Sequence, residues 1–199
     1  MTDFKEDKKA LRLRALALRD KMDEADRIEA SLRLAEHGDD YLRDLEPGTI
    51  VSGFLPIRSE VDLRPLMMRL ADRGARLCVP AILAGNLEFR ELKRGAELVS
   101  QGFGTVAPGA DAAVLDPSLM LVPLSAFDRR GGRIGYGGGF YDRAIQRITE
   151  KGIAPRLVGT AFACQEIAAA PMAEHDRHLH AILTEAGVIE TGRTAAPVA

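Results

Sequence analysis

Residues 121–148, LVPLSAFDRRGGRIGYGGGFYDRAIQRI, pass from an apolar run through a loop with six glycines and three arginines into a helix starting near Tyr141. A buried strand, a glycine-rich loop and a helix in that order belong to the βαβ vocabulary. Glycines let main-chain N–H groups converge on a concavity, and a helix N-terminus adds the positive end of its dipole. The segment therefore suits an anion such as phosphate. For the glycines alone, a long surface loop is the competing reading.

The same alternation extends outward in both directions. TIVSGF (49–54) has strand character, DLRPLMMRLADRG (62–74) reads as a helix closed by Gly74, and RLCVPAI (76–82) and LEFREL (87–92) read as strands. LMLVPL (119–124) is the strand before the loop, the helix runs to about Thr149, and RLVGTAF (156–162) and AILT (181–184) complete the set. Strands alternating with helices predict an α/β fold with a mainly parallel sheet flanked by helices. The first forty-five residues are helical throughout in this reading. Leu11, Ala15, Leu18 and Met22 recur at spacings of three to four, and Ile28, Leu32 and Ala35 continue a stripe until Pro47-Gly48 breaks it. The expected organisation is one domain over 1–190 with an N-terminal helical extension, and a mobile tail over 191–199.

Composition narrows the function. The chain has 199 residues, 46% of them apolar and 28% charged, enough to bury a core as one domain. A formal charge of −2 argues against broad non-specific nucleic-acid binding, so any anion site is local. The N-terminus, MTDFKEDKKALRLRALALRD, is too charged for a signal peptide, and no apolar run approaches the roughly 18 residues a membrane span needs. A cytoplasmic, monomeric enzyme or binding protein is expected, with no membrane partner. Cys78 lies in an apolar run and reads as a core residue; Cys164 is distant from it.

Known phosphate loops do not fit. Gly135-Tyr136-Gly137-Gly138-Gly139-Phe140 lacks the last glycine of G-x-G-x-x-G, and no Lys-Ser/Thr follows as a Walker A loop requires. What stands there is Phe127-Asp128, a short gap, then Arg133-Ile-Gly-Tyr-Gly-Gly-Gly-Phe-Tyr-Asp-Arg. This string resembles the signature of the 5-formyltetrahydrofolate cyclo-ligase family, also called 5,10-methenyltetrahydrofolate synthetases. Three further pieces match in order: Lys8-Lys9-Ala10-Leu11-Arg12, Glu60-Val61-Asp62 and Pro171-Met-Ala-Glu-His175-Asp176.

The resemblance implies an ATP- and Mg²⁺-dependent cyclisation of 5-formyltetrahydrofolate to 5,10-methenyltetrahydrofolate, ADP and phosphate. It implies ATP contacts at Lys8, Arg12, Arg133, Ile134, Gly135, Tyr136, Gly137, Gly138, Gly139, Phe140 and Tyr141. It implies folate contacts at Leu55, Glu60, Tyr136, Gly137, Gly138, Gly139 and Phe140, and Mg²⁺ ligands at Asp142 and Asp176. No residue is assigned a covalent catalytic role. Phe89 resembles a further pocket position.

Each position also has a plain structural reading. Lys8 and Arg12 stand at i,i+4, where like charges cost a few tenths of a kcal/mol unless an anion lies between them. With Arg14 and Arg19 on the same helix, they also read as a solvated basic face. Glu60 reads as a loop acid near a helix N-terminus, Phe89 as a strand core aromatic, and Asp142 as a helix N-cap. His175, His178 and His180 cluster in HDRHLH, but in an extended segment His178 and His180 share a face that His175 does not, which argues against zinc. Departures from the family pattern are Phe140 for a usual Tyr, Leu63 for Thr, Leu124 for Gly and Ala107 for Glu. The alternatives are a non-catalytic folate- or nucleotide-binding protein of the same fold, which would be expected to lose Glu60, Arg133 or the aspartates, and an RNA binder using Arg, Gly and aromatic residues. The loop occurs once in a slightly acidic chain, which weakens the second.

Overall fold

The computed structural model describes residues 4–102, 104–173 and 176–193. A seven-stranded sheet organises the chain. β1 (Ile50–Ser52), β2 (Arg76–Leu83), β6 (Leu119–Pro123), β9 (Arg156–Thr160) and β10 (Ala181–Thr184) pair in parallel. β3 (Asn86–Glu91) and β11 (Gly187–Glu190) close the two edges as antiparallel hairpin partners of β2 and β10. The order is β11-β10-β9-β6-β1-β2-β3. A separate hairpin joins β4 (Leu98–Gly102) to β5 (Thr105–Pro108), and a short one joins β7 (Ala126–Phe127) to β8 (Arg133–Ile134). The expected strands are present. The two small hairpins and β11 were not expected, because turns there set pairing that short, weakly alternating segments do not advertise.

From β1 the chain moves one way, to β2; from β6 it moves the other way, to β9. The boundary between β1 and β6 is thus a topological switch point, and ligands of open α/β sheets lie off the carboxyl ends of the strands at such a point. The loop leaving β1 carries Leu55 and Glu60, and the loop leaving β6 carries the glycines.

Two layers of helices cover the sheet. On one face, α2 (Glu24–Tyr41) and α3 (Arg64–Asp72) bury Ala30, Leu34, Leu66, Met67 and Leu70 against Val51, Val79, Leu121 and Leu183. On the other, α4 (Phe140–Glu150) buries Ala144, Ile145 and Ile148 against Met120, Val122 and Leu157. The first helix, α1 (Phe4–Asp20), packs instead on the small hairpin, with Ala15 against Ala126 and Ile134.

The N-terminal helical reading needs two corrections. The helix is broken: Asp23 caps a new one, its carboxylate accepting from the Asp26 N–H at 2.9 Å. The stripe is also only half right: Leu11, Ala15, Met22 and Ala35 pack inward, whereas Leu18, Ile28 and Leu32 are exposed at 44%, 57% and 47%. The buried face of α2 is Ala30, Ser31, Leu34, Ala35 and Gly38. Close packing selects these small residues, because a methyl at Gly38 would lie 2.7 Å from Leu66 and 2.8 Å from Leu183. Among the described residues no helix is long and apolar enough to cross a membrane. Of the tail expected to be mobile, Thr191 donates its hydroxyl to the carbonyls of Leu179 and His180, and residues 194–199 lie outside the described residues.

Candidate functional site

Because α1 rests on the β7–β8 hairpin, its inward side looks onto the carboxyl end of the sheet. That side is built from Lys8, Arg12, Ala15 and Arg19, at helical spacings of three and four. Arg12 donates Nε–H to the Gly135 carbonyl at 2.7 Å. Its guanidinium also lies 3.2 Å from where a methyl on Gly137 would sit, and Gly137 has φ +98°, so a side chain there would be strained and crowded. Lys8 reaches across to Asp176, Nζ to Oδ2 at 2.5 Å. Arg19, read from sequence as part of a solvated basic face, is only 2% exposed.

The glycine loop has a rigid root and an open crest. Asp128 is buried and accepts N–H groups from Arg130 (2.8 Å), Gly132 (3.1 Å) and Ala170 (2.7 Å). Burial raises its pKa, but these amides outweigh that and hold the carboxyl below its ordinary value. The Phe127-Asp128 part of the signature is therefore a turn that places Arg133. Arg133 and Ile134 are buried in β8, whereas residues 136 to 139 are exposed. Gly139 precedes α4 in the left-handed region at φ 64°, ψ 15°, with no side-chain cap. Helix α4 thus begins at Phe140, one residue earlier than expected. Asp142 is in its first turn and does not cap it, although an acid there still complements the dipole.

Arg143, a position the sequence left without a role, ties this crest down. It donates to the Gly138 carbonyl at 2.8 Å and the Gly85 carbonyl at 3.2 Å, and its guanidinium stands 5.0 Å from the Phe140 ring centre. The ring retained at Phe140 is what this stacking uses.

Opposite the crest, Glu60 is held by two donors. Tyr136 gives its hydroxyl proton to Oε1 at 2.5 Å, and the Ile57 N–H reaches Oε2 at 3.0 Å. Burial raises the Glu60 pKa more than Tyr136, Ile57 and the charge of Arg19 lower it. Burial likewise raises that of Tyr136, helped by the Glu60 charge. Leu55 packs at the edge of the core beside this loop.

The two aspartates share a corner. Arg133 Nη2 donates to Asp142 Oδ1 at 2.5 Å. The N–H of Arg177, the residue after Asp176, reaches the same oxygen at 3.3 Å, so the chain at Asp176 adjoins Asp142. Asp176 also accepts the Ala173 N–H at 2.7 Å. Lys8 is thus a charged partner of Asp176. Hard oxygen donors suit Mg²⁺, which takes one or two carboxylates and completes its shell with phosphate and water. Among the described residues no group of three or more His, Cys, Asp or Glu could cage a metal. These two carboxylates fit a metal that arrives with a phosphate. They do not form a closed protein site.

Other expected positions resolve as structure. Phe89 is in the core, its ring edge-on to Tyr141 at 6.4 Å. The Tyr141 hydroxyl and Arg133 Nε are buried without hydrogen-bond partners among the described residues. Cys78 is buried, and burial pushes its thiol up to about 12, as befits a core residue. His180 accepts the Leu157 N–H on Nδ1 at 2.8 Å, and His175 lies outside the described residues. Of the departures from the resemblance, Leu63, Leu124 and Ala107 are all buried, so each is spent on packing.

The sequence matches the 5-formyltetrahydrofolate cyclo-ligase family over residues 4–185. It is 35% identical over 147 residues to the 5-formyltetrahydrofolate cyclo-ligase of Escherichia coli (strain K12), covering 70% of this chain and 80% of that protein. The fold matches the solution structure of Aquifex aeolicus 5,10-methenyltetrahydrofolate synthetase with a TM-score of 0.75 at 26% identity, over 94% of each chain. It also matches the fold of the Mycoplasma pneumoniae 5,10-methenyltetrahydrofolate synthetase, at 18% identity and a TM-score of 0.72, over 90% of this chain and 99% of that one. A family match over nearly the whole chain, with the signature loop at the switch point of the sheet, makes this protein a member of the 5-formyltetrahydrofolate cyclo-ligase family.

Proposed function

We propose that the protein, acting as a monomer, converts 5-formyltetrahydrofolate and MgATP to 5,10-methenyltetrahydrofolate, ADP and phosphate by phosphorylating the formyl oxygen. The γ-phosphoryl passes to that oxygen and ADP leaves. N10 then attacks the formyl carbon and loses its proton, and the C–O bond breaks to release phosphate. The formyl oxygen is a poor leaving group until phosphorylated, which is why the ring closure needs ATP. Phosphoryl transfer asks mainly for positioning and charge neutralisation.

One observation carries this reading: the loops assigned to the two substrates meet. Tyr136, between the glycines, bonds Glu60 from the loop after β1, while the glycines on either side of it touch Arg12. ATP would lie along the crest with Lys8, Arg12 and Arg133 around its phosphates and the first amides of α4 directed at them. The folate would lie between Leu55, Glu60 and Tyr136. Mg²⁺, bound with ATP, would neutralise phosphate charge from Asp142 and Asp176, taking the place that Lys8 and Arg133 now fill on those carboxylates.

The direct experiment mixes the purified protein with ATP, Mg²⁺ and 5-formyltetrahydrofolate and follows the near-ultraviolet absorption of the methenyl product beside ADP. Product and ADP should form one to one, each dependent on the other substrate. Brisk ATP hydrolysis without folate, or cyclisation without nucleotide, would sink the reading. Asp142→Asn and Asp176→Asn should each keep stability within about 1 kcal/mol while needing much more Mg²⁺; unchanged Mg²⁺ dependence in both would overturn the metal assignment alone.

A further inference from the structure

We propose that Arg19 is a positioning residue for the folate half of the site: a buried cation that sets the direction of the Tyr136–Glu60 hydrogen bond and so keeps Glu60 an acceptor for its ligand. The proposal rests on Glu60 being a folate contact. Nothing in the sequence pattern assigns Arg19 a role.

A guanidinium has five N–H donors and accepts nothing. Arg19 donates through Nη1 to the Tyr136 hydroxyl oxygen at 2.9 Å. That hydroxyl has a single proton, which must then point at Glu60 Oε1, 2.5 Å away. With the Ile57 N–H on Oε2, both carboxylate oxygens are fixed as acceptors. A carboxylate has about four lone-pair sites, and two of them are filled this way. The remaining two face a ligand edge that must itself bring N–H or O–H donors. Arg19 also donates Nε–H to Ser59 Oγ at 3.0 Å, and Ser59 passes its own proton to Asp20. One side chain on α1 thereby joins the loop after β1 to the glycine loop after β6. Its guanidinium is almost wholly shielded, so the charge acts at short range without screening.

A lysine has donors enough for both hydroxyls but not the fixed planar fork that spans them from Nε and Nη1. The proposal also accounts for a cation buried on a helix whose neighbours Arg14 and Leu18 face solvent.

The test measures both Michaelis constants in Arg19→Met, Tyr136→Phe, the double variant and Glu60→Gln. Loss of a charge-assisted hydrogen bond should raise KM for 5-formyltetrahydrofolate roughly tenfold or more in Arg19→Met and Tyr136→Phe. KM for ATP should move by no more than about twofold, because the hydrogen bond that is lost holds Glu60, on the folate side of Tyr136. The double variant should be no worse than the weaker-binding single one, since both act through one bond. A merely structural Arg19 would lower Tm without this split between substrates. Tyr136→Phe removes a single oxygen, so the proposal stays falsifiable even if Arg19→Met does not fold: an unchanged folate KM there overturns it, as do single effects that multiply. If Glu60→Gln also leaves the folate KM unchanged, the folate reading of Glu60 falls with it; if Glu60→Gln raises KM while Arg19→Met and Tyr136→Phe do not, the role of Arg19 alone is lost.

Discussion

Helices α1 and α2 are consecutive and nearly equal, 17 and 18 residues, yet they turn inward faces of opposite chemistry. The inner side of α2 is Ala30, Ser31, Leu34, Ala35 and Gly38, packed on α3 and the sheet. The inner side of α1 is Lys8, Arg12, Ala15 and Arg19, and only Ala15 of these is apolar. The first face minimises distance; the second delivers cations to the carboxyl ends of β1 and β6. A helix that docks on a small cluster through Ala15 and Leu11, while its cations spend their hydrogen bonds on loops, is stabilised weakly by burial and is kept for what it presents.

The largest expected difference between the two helices is in activity. Arg12→Ala removes the donor to the Gly135 carbonyl and the guanidinium beside Gly137. Losing a charge-assisted contact of about 1.5–3 kcal/mol, kcat/KM for ATP should fall roughly ten- to hundredfold. Because Arg12 is half-exposed, stability should change by no more than about 1 kcal/mol. Steady-state kinetics beside thermal melts separate the two. A large drop in Tm with ATP kinetics intact would mean that α1 is a packing helix like α2.

The complementary variant is Gly38→Val in α2. Two added methyls and a β-carbon have to enter space already taken by Leu66 and Leu183. Overpacking of this kind costs about 1–3 kcal/mol, read as a lower denaturant midpoint with unchanged slope. Both KM values should stay at the wild-type level. A shifted KM for either substrate would show that the core face of α2 is coupled to the site, and the contrast would fail.

The same contrast explains what the sequence disclosed. Strands β1, β2, β6, β9 and β10 were legible because a parallel sheet covered on both sides needs continuous apolar runs. The glycine loop was legible because the string from Arg133 to Arg143, between a strand and a helix, is far more specific than its glycines, of which Gly137 and Gly139 take positive φ. The orientation of the first two helices was legible only in part. Apolar periodicity found Leu11, Ala15, Met22 and Ala35, which pack inward, but added Leu18, Ile28 and Leu32, which are exposed, because it counts large side chains as core and small ones as neutral. In α2 the close approach reverses that weighting, and the signal was the spacing of Ala30, Leu34 and Gly38. In α1 the signal was Lys8, Arg12, Ala15 and Arg19 on one stripe, visible only if cations are allowed to face inward. The roles of Arg143 and Ser59 left no trace, since Arg143 bonds backbone carbonyls and Ser59 bonds the side chains of Arg19 and Asp20.

The smallest expected effect sharpens the comparison most, because it removes the anion that the innermost cation of α1 faces. Burial holds the Glu60 carboxyl above its ordinary range, more than Tyr136, Ile57 and Arg19 lower it. A carboxyl with a raised folded pKa binds its proton more tightly in the folded state. Its ionisation therefore costs stability, and the cost appears as pH climbs from the ordinary carboxylate value through the raised one. Glu60→Gln should accordingly raise Tm slightly near neutral pH, with the gain vanishing in acid where wild-type Glu60 is protonated in both states. Arg19 keeps the nearby Asp20 carboxylate, 3.8 Å away, so it is not left wholly uncompensated. In the wild type, kcat/KM for folate should fall as acid protonates Glu60, whereas in Glu60→Gln it should be low and lack that acid limb. Melting curves and folate kinetics across the acid-to-neutral range check both halves. A lower Tm for Glu60→Gln at neutral pH would mean that attraction to Arg19 outweighs burial, and that α1, like α2, is held in place by what its inner face buries.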